Sequence, residues 1–208
     1  MAYELVDTDS EVVPFLNNPG GSGGGLTLEL LNDAARSMIE NYLDRHIVSR
    51  GSITEYHSVY GATHEIFTRQ WPILTVSTIH EDTARDFAAA SLLTETTDYV
   101  LSKPSGRILR VSSNVPTTWD IGWRAIKVVY TGGYASTALV DETLKYAALR
   151  LIALMWNEAK RQEIGYSSIA DAQGNIQRLV PGGLSADIKK SLYSFRRMEQ
   201  CPTGEVDA

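Results

Sequence analysis

The chain has 208 residues, of which 43% are hydrophobic, and its 19 Lys+Arg against 25 Asp+Glu give a formal net charge of −6. This length predicts one large domain, or one domain with appendages, and the composition excludes wholesale disorder, collagen and a disulfide scaffold. The acidic balance argues against a protein that holds nucleic acid by general phosphate neutralisation, although it leaves room for a local basic patch.

Residues 1–25 predict an arm followed by a linker. The arm carries a weak apolar pattern typical of a short helix, with Asp9 or Ser10 as its cap and with Pro14 interrupting it. The stretch NNPGGSGGG that follows has the composition of a flexible linker. A phosphate-binding loop would continue with Gly-Lys-Ser/Thr, and Leu-Thr stands there instead.

A helix and three strands are predicted next. Apolar residues at three- and four-residue steps predict a helix from Thr27 to near Arg45. Apolar residues set among polar ones then predict strands over residues 52–59, 65–69 and 73–79. We expect these three strands to form an antiparallel patch.

The following segments predict a hairpin and a further strand. Strands over residues 98–101 and 107–111 are separated by a Pro- and Gly-containing turn. Another strand covers residues 125–130 and stops at residues 131–134, where paired glycines permit a positive φ.

The last third of the chain predicts two helices separated by a loop. Helical spacing of apolar residues covers 141–161, and residues 163–183 are polar and punctuated by glycine. Ser185 caps a shorter helix that runs to about Met198. The predicted fold is therefore α+β: two long helices plus a C-terminal helix form a helical core, beside an antiparallel β-hairpin portion.

No pattern for export or membrane insertion is present. The first sixteen residues are acidic and lack Lys and Arg, unlike a secretory signal. The most apolar stretch, residues 147–156, is about half a bilayer-spanning length and contains Arg150. The single cysteine, Cys201, excludes an intrachain disulfide and a multi-cysteine zinc site. We expect a soluble intracellular protein that makes no use of a membrane.

The four histidines are the first candidates for chemistry. His57 and His64 are placed to face each other across a hairpin, but no H-E-x-x-H pair or cysteine accompanies them, which favours a polar strand face over a metal site. The run His80-Glu81-Asp82 resembles a set of general acid–base groups, yet adjacent strand residues point to opposite faces. We expect no catalytic residue, no metal and no cofactor; a small hydrolase using His57, His64 or His80 is the distant alternative.

The tryptophans and the last helix are candidates for packing and partner contacts. Trp156 lies on an apolar helix and is expected in the core, whereas Trp119 and Trp123 favour packing or subunit contact over a ligand platform. On the last helix, positive charge and aromatic side chains occur together. That combination fits either a solvated helix end or a partner-docking peptide.

The order of these signals resembles the head-to-tail connector, or adaptor, proteins of tailed bacteriophages, including related domesticated phage-like particles. The resemblance covers roughly residues 26–198. It is carried by AARSMIENYLDRHI (34–47), QWPILTVSTI (70–79), DYVLSKPSGRILRV (98–111), IKVVYTGGYAS (126–136) and YSFRRM (193–198).

The resemblance implies a structural virion protein without enzymatic activity. It implies a homo-oligomeric ring, usually of twelve subunits, that sits beneath the portal protein after DNA packaging and contacts a stopper or tail completion protein. DNA passes through the lumen without sequence-specific binding. The location implied is the neck at the portal vertex, with host cytoplasm as the site of assembly. A stopper or a tail terminator is the alternative within the same class.

The resemblance also assigns parts of the chain. Residues 26–162 become a connector core domain, and residues 163–208 a loop, a portal-docking helix and a tail. The residues assigned to portal binding are Lys189, Tyr193, Phe195, Arg196 and Arg197.

Overall fold

The computed structural model mixes α-helices with antiparallel sheets, as the sequence predicts. Chain contacts divide it into two compact units. The sheet unit comprises residues 45–136, and the helical unit is built from residues up to 44 together with residues from 137 onward. The described residues are 4–16, 28–161, 168–170, 176–178 and 184–196.

The strands of the sheet unit form two antiparallel arrangements. In chain order they are β1 (Ser52–Val59), β2 (Glu65–Phe67), β3 (Ile73–Glu81), β4 (Tyr99–Ser102), β5 (Arg107–Ser112), β6 (Val115–Pro116) and β7 (Gly122–Gly132). One sheet has the order β1-β7-β3, so β7 lies between the other two strands. The other has the order β2-β5-β4, with β6 paired to β5.

This pairing corrects the antiparallel patch expected from β1, β2 and β3. None of these strands pairs with another of the three, because β1 and β3 both pair with β7 and β2 pairs with β5. Alternation along a segment indicates that it is a strand, but the partner is decided by burial across distant segments. The predicted hairpin is confirmed: β4 and β5 pair antiparallel, and Gly106 has a φ of 66° in the turn.

The core of the sheet unit is built from the inward faces of these strands. Its largest fully buried side chains include Trp119, Tyr130, Ile79, Ile108 and Ile126. The strand predicted over 125–130 is longer than expected, and β7 runs to the first of the paired glycines.

Close approach explains why glycine occupies the end of β7. A Cβ on Gly132 would lie 2.7 Å from the carbonyl oxygen of Gln70. At Gly133 the φ is +97° and a Cβ would lie 2.8 Å from the carbonyl oxygen of Ile47. The predicted turn therefore begins at Gly133 rather than at Thr131.

The helical unit contains four α-helices among the described residues. They are α1 (Val13–Phe15), α2 (Leu28–Leu43), α3 (Glu142–Arg161) and α4 (Ala186–Leu192). A π-helical turn, Thr8–Val12, leads directly into α1. The strand pair β8 (Ser168–Ala170) and β9 (Ile176–Arg178) lies within the stretch predicted as a polar loop, which corrects that prediction. Glycine and polar residues indicate turns, and they do not exclude a short hairpin between them.

The N-terminal segment packs on the other helices. Leu5, Val6 and Val12 are fully buried. The side-chain amide of Asn32 on α2 donates to the carbonyl oxygen of Val6 at 2.8 Å. The ammonium group of Lys145 on α3 lies 3.0 Å from the Glu11 carboxylate.

The cap of this segment differs from the one predicted. Asp7, rather than Asp9 or Ser10, is the cap, and its carboxylate accepts the backbone N–H of Ser10 at 2.7 Å. Pro14 does not end the helical segment, which changes from a π-helical to an α-helical pattern at Val13 and continues to Phe15. The linker predicted over residues 17–25 lies outside the described residues.

Helices α2, α3 and α4 pack through their apolar faces. Leu144, Leu151 and Ile152 of α3 are buried, as are Ile188 and Leu192 of α4. Ser185 caps α4 as predicted, since its hydroxyl accepts the backbone N–H of Ile188.

The last helix is shorter than expected. It ends at Leu192, where a 3-10 turn, Tyr193–Phe195, follows, instead of continuing to about Met198. Among the described residues, Leu192 is the last one that is fully buried, which is consistent with this earlier end. None of the described helices combines the length and apolarity needed to cross a bilayer.

Candidate functional site

Helix α4 and the turn that follows it hold most of the residues assigned to partner binding. Lys189, Tyr193 and Arg196 are exposed, and Phe195 is partly buried. The Tyr42 hydroxyl of α2 donates to the carbonyl oxygen of Lys189 at 3.3 Å, and the Arg196 guanidinium lies 5.7 Å from the Tyr42 ring centroid. Arg197 lies outside the described residues. We call Lys189, Tyr193 and Arg196 the α4 surface.

Apolar side chains are exposed on α3 and just before it. Leu139 is 64% exposed and Tyr146 is 56% exposed, and Leu154 is exposed as well. The guanidinium of Arg150, one turn after Tyr146, lies 6.0 Å from that ring. A helix with apolar side chains on more than its buried face favours contact with another subunit.

A cluster of arginine and aromatic side chains lies on the sheet unit, and sequence reasoning did not find it. It lines a shallow cavity of about 260 Å³ and consists of Tyr56, Arg85, Phe87, Trp123 and Arg124. The Arg124 guanidinium lies 4.6 Å from the Tyr56 ring centroid and 5.5 Å from that of Trp123. The Arg85 guanidinium lies 5.0 Å from Trp123. We call this set the Arg–aromatic cluster.

The loop after β3 positions one side of the cluster. The Asp82 carboxylate accepts the backbone N–H groups of Ala84 at 2.8 Å and Phe87 at 2.9 Å, which fixes the loop. These hydrogen bonds lower the pKa of Asp82, against the opposing effect of desolvation. Arg85, Phe87 and Arg124 all have a positive φ. Such backbone conformations in non-glycine residues persist where the surrounding structure requires them.

The sequence signal for this cluster is weak because its members lie in three separate segments. Tyr56 is on β1, Arg85 and Phe87 follow β3, and Trp123 and Arg124 begin β7. Only the prediction that Trp123 serves subunit contact pointed toward it, and Trp123 is 49% exposed. Trp119, grouped with it in the sequence, is buried in the core.

A buried carboxylate joins β1 to β7 and to the segment before β3. Glu55 accepts hydrogen bonds from the Tyr130 hydroxyl and from the backbone N–H of Arg69 at 3.0 Å. Burial would raise the pKa of Glu55, but His57 and these hydrogen bonds outweigh it and lower the pKa. Burial and the Glu55 charge raise the pKa of Tyr130. This network is structural, because its groups satisfy one another inside the sheet unit.

The histidines are not brought together as a catalytic centre. The expectation that His57 and His64 face each other across a hairpin is wrong, since β1 and β2 belong to different sheets. His57 Nε2 lies 3.5 Å from the Glu55 carboxylate, and His80 Nδ1 lies 3.2 Å from the Ser91 hydroxyl. Among the described residues, no group of three His, Cys, Asp or Glu side chains is placed to hold a metal ion.

The run His80-Glu81-Asp82 is divided among separate contacts. Glu81 pairs with Arg110 at 2.8 Å, and Asp82 caps the loop that follows β3. The three side chains therefore have different partners, as the alternation of a strand predicts.

Solved structures similar to this chain come from gene transfer agent (GTA) particles. A chain from the neck of an empty GTA particle with C6 symmetry has a TM-score of 0.54 and 17% identity, covering 98% of this chain and 97% of that one. A chain from the neck of a native GTA particle with C12 symmetry has a TM-score of 0.54 and 15% identity, covering 98% and 100%. A chain from the virion of the native particle has a TM-score of 0.53, 18% identity and coverage of 94% and 95%.

These similarities extend over nearly the whole chain and establish its fold. The fold is that of neck and virion proteins of a gene transfer agent particle, which confirms the resemblance to head-to-tail connector proteins seen in the sequence. No protein-family model matches the chain, and no curated protein matches its sequence.

Proposed function

We propose that this chain is a structural neck protein of a phage or phage-like virion, an adaptor that connects the head to the tail. The observation that carries the proposal is the likeness to a neck chain over 98% of this chain at a TM-score of 0.54. The protein acts without catalysis or a cofactor. Its place is the portal vertex of the virion, after assembly in the host cytoplasm.

The adaptor works as a ring of identical subunits, twelve in number. The C6 and C12 symmetries of the similar neck structures support a ring. The exposed apolar residues Leu139, Tyr146 and Leu154 support contacts between copies, because apolar area exposed on one subunit is stabilised when it is buried against another.

The ring binds the portal protein through its C-terminal segment, with Lys189, Tyr193, Phe195, Arg196 and Arg197 as the contact residues. The α4 surface presents two cations and an aromatic ring on α4 and on the turn that follows it, and α4 is anchored by buried Ile188 and Leu192. Exposed Arg and Tyr side chains next to such an anchored helix are suited to docking in a partner's groove.

DNA passes through the ring without being held by it. The net charge of −6 supports this part of the proposal, since an acidic protein repels phosphates and does not release counterions from DNA. The opposite face of the ring receives a stopper or tail completion protein.

The test is to mix the purified protein with its portal ring and to measure mass by light scattering and shape by negative-stain imaging. We expect a closed ring that caps the portal. A protein that stays monomeric and does not bind the portal would contradict the adaptor role. A ring that binds another neck component but not the portal would favour a stopper or tail terminator.

The α4 surface is tested by the triple variant Lys189→Glu, Tyr193→Ala, Arg196→Glu. We expect loss of portal binding, because the variant reverses two exposed charges and removes an exposed aromatic ring. Lys103→Glu, an exposed charge on the turn between β4 and β5, is the control and retains binding. Deletion of residues 185–208 is a harsher test, since it also removes buried Ile188 and Leu192.

A further inference from the structure

The Arg–aromatic cluster carries positive charge for which the described part of the chain supplies no ion-pair partner. Within the described residues, no carboxylate lies within 4.0 Å of the guanidinium of Arg85 or Arg124. Lys127 on β7 adds a third cation, whose ammonium group lies 5.5 Å from the Phe87 ring centroid. Asp82, a nearby carboxylate, is occupied by the backbone of its own loop. Asp86 lies between Arg85 and Phe87 in the sequence and forms no ion pair with either arginine.

This composition is that of a protein–protein contact. Tryptophan, tyrosine and arginine dominate the binding energy of interfaces, and Trp123 is half exposed. The arginines are held over aromatic rings, so little side-chain freedom is lost when a partner docks. Cations without a carboxylate partner select an acidic partner surface.

The helical unit presents such an acidic surface. The hydrogen bond from Asn32 to Val6 holds the N-terminal segment against α2, which brings Glu4 and Asp7 beside Glu29 and Asp33. Burial and repulsion by the other three carboxylates raise the pKa of Glu4. One cation in contact with them, Arg36, lies 3.1 Å from Asp33. The Asp7 carboxylate is occupied by Ser10, so we call the other three, Glu4, Glu29 and Asp33, the acidic cluster.

We propose that the Arg–aromatic cluster of one subunit binds the acidic cluster of a neighbouring copy. The contact uses different surfaces on the two subunits, so it is heterologous, and repetition of it around a closing rotation generates a ring. It relieves the repulsion among the carboxylates and supplies the arginines with anions. The inference rests on the proposed ring and names the side chains that join its subunits.

Cross-linking of isotope-mixed protein tests the contact directly. The full chain carrying Arg85→Lys and Arg124→Lys keeps the charges and gains amines, and a carbodiimide joins amines to touching carboxylates. The ¹⁴N- and ¹⁵N-labelled forms of the variant are mixed, cross-linked and then digested. We expect mixed-isotope peptides that join position 85 or 124 to Glu29 or Asp33. Links found only in single-isotope peptides, or no such links, would overturn the proposal.

Charge reversal supplies a second test. Arg85→Glu with Arg124→Glu, and separately Glu29→Lys with Asp33→Lys, each weaken self-association at least about tenfold in sedimentation velocity, because like charges then meet. All four changes in one chain restore association. The control Lys103→Glu with Lys190→Glu makes the same change in net charge as the arginine variant, at exposed lysines outside both clusters, and leaves association unchanged.

Two outcomes separate this inference from the function on which it rests. A ring that still forms on the portal from the Arg85→Glu, Arg124→Glu variant overturns the contact and leaves the adaptor role intact. A mobility shift of duplex DNA that this variant abolishes, with self-association unchanged, assigns the cluster to nucleic acid and overturns the contact as well.

Discussion

At the scale of single residues, Glu55 makes the stability of the sheet unit depend on pH. Its hydrogen-bond donors lie on β7 and in the segment before β3, so its charge holds three parts of the chain together. Its pKa is lowered in the folded protein. The stabilisation is therefore present above the ordinary value of 4.5 and is lost as the pH falls through the lower folded pKa.

Replacement of Glu55 by Gln is expected to lower the free energy of unfolding by about 2 kcal/mol at pH 7, the size of a charged hydrogen bond. The difference from the wild type narrows as the pH falls below the ordinary glutamate value. Urea unfolding at neutral and acid pH measures both effects. Glu95→Gln, at an exposed position, is the control, and an equal loss at all pH values would show that charge is not the cause.

Trp119, just before β7, and Trp123, near its start, differ in the loss of stability that we expect when each is replaced by alanine. Trp119 is 1% exposed, and Trp119→Ala leaves a cavity expected to cost about 3–5 kcal/mol. Trp123→Ala removes a half-exposed ring and is expected to cost less than about 1 kcal/mol. Thermal unfolding of the two variants makes the comparison. Similar losses would mean that Trp123 supports the fold and not an interface.

At the scale of elements, α4 is predicted to depend on its anchoring residues. Leu192→Ala removes a fully buried side chain from a helix of only seven residues. We expect faster hydrogen exchange at the amides of α4, because a short helix needs packing to persist.

The amides of β1, in the other unit, serve as an internal reference and keep their protection. Lys190→Ala, exposed on the same helix, is the matched control. Unchanged exchange in α4 after Leu192→Ala would contradict the anchoring role.

Most elements, but few pairings, were predictable from the sequence. The hairpin of β4 and β5 was found because its turn chemistry and its partner are both local. The partners of β1 and β3 were missed because β7 is distant in the chain, and alternation carries no information about distance. The Arg–aromatic cluster was missed for the same reason. The π-helical turn at residues 8–12 has no sequence signature in the apolar pattern.

At the scale of the whole molecule, the net charge predicts the affinity of the protein for DNA. A net charge of −6 is expected to leave it without measurable affinity for duplex DNA at about 0.1 M salt. Fluorescence anisotropy of a labelled duplex measures this. Binding that weakens steeply with salt would show phosphate contacts and would contradict a channel through which DNA slides.

The division of the chain into a linear arm, a core domain over 26–162 and a C-terminal part stays a prediction. The contacts instead describe a helical unit whose two halves are separated in sequence by the sheet unit. The contacts place α4 in the same unit as α2 and α3.

The interrupted chain path of the helical unit sets an order of events on the ribosome. Leu31, Ile39 and Leu43 of α2 emerge first, and α3 emerges only after all seven strands of the sheet unit have been made. Because synthesis proceeds at roughly 5–20 residues per second, the apolar face of α2 lacks its partner α3 for several seconds or longer. The nascent chain therefore offers a chaperone an early target, and the sheet unit is the first part able to complete its core.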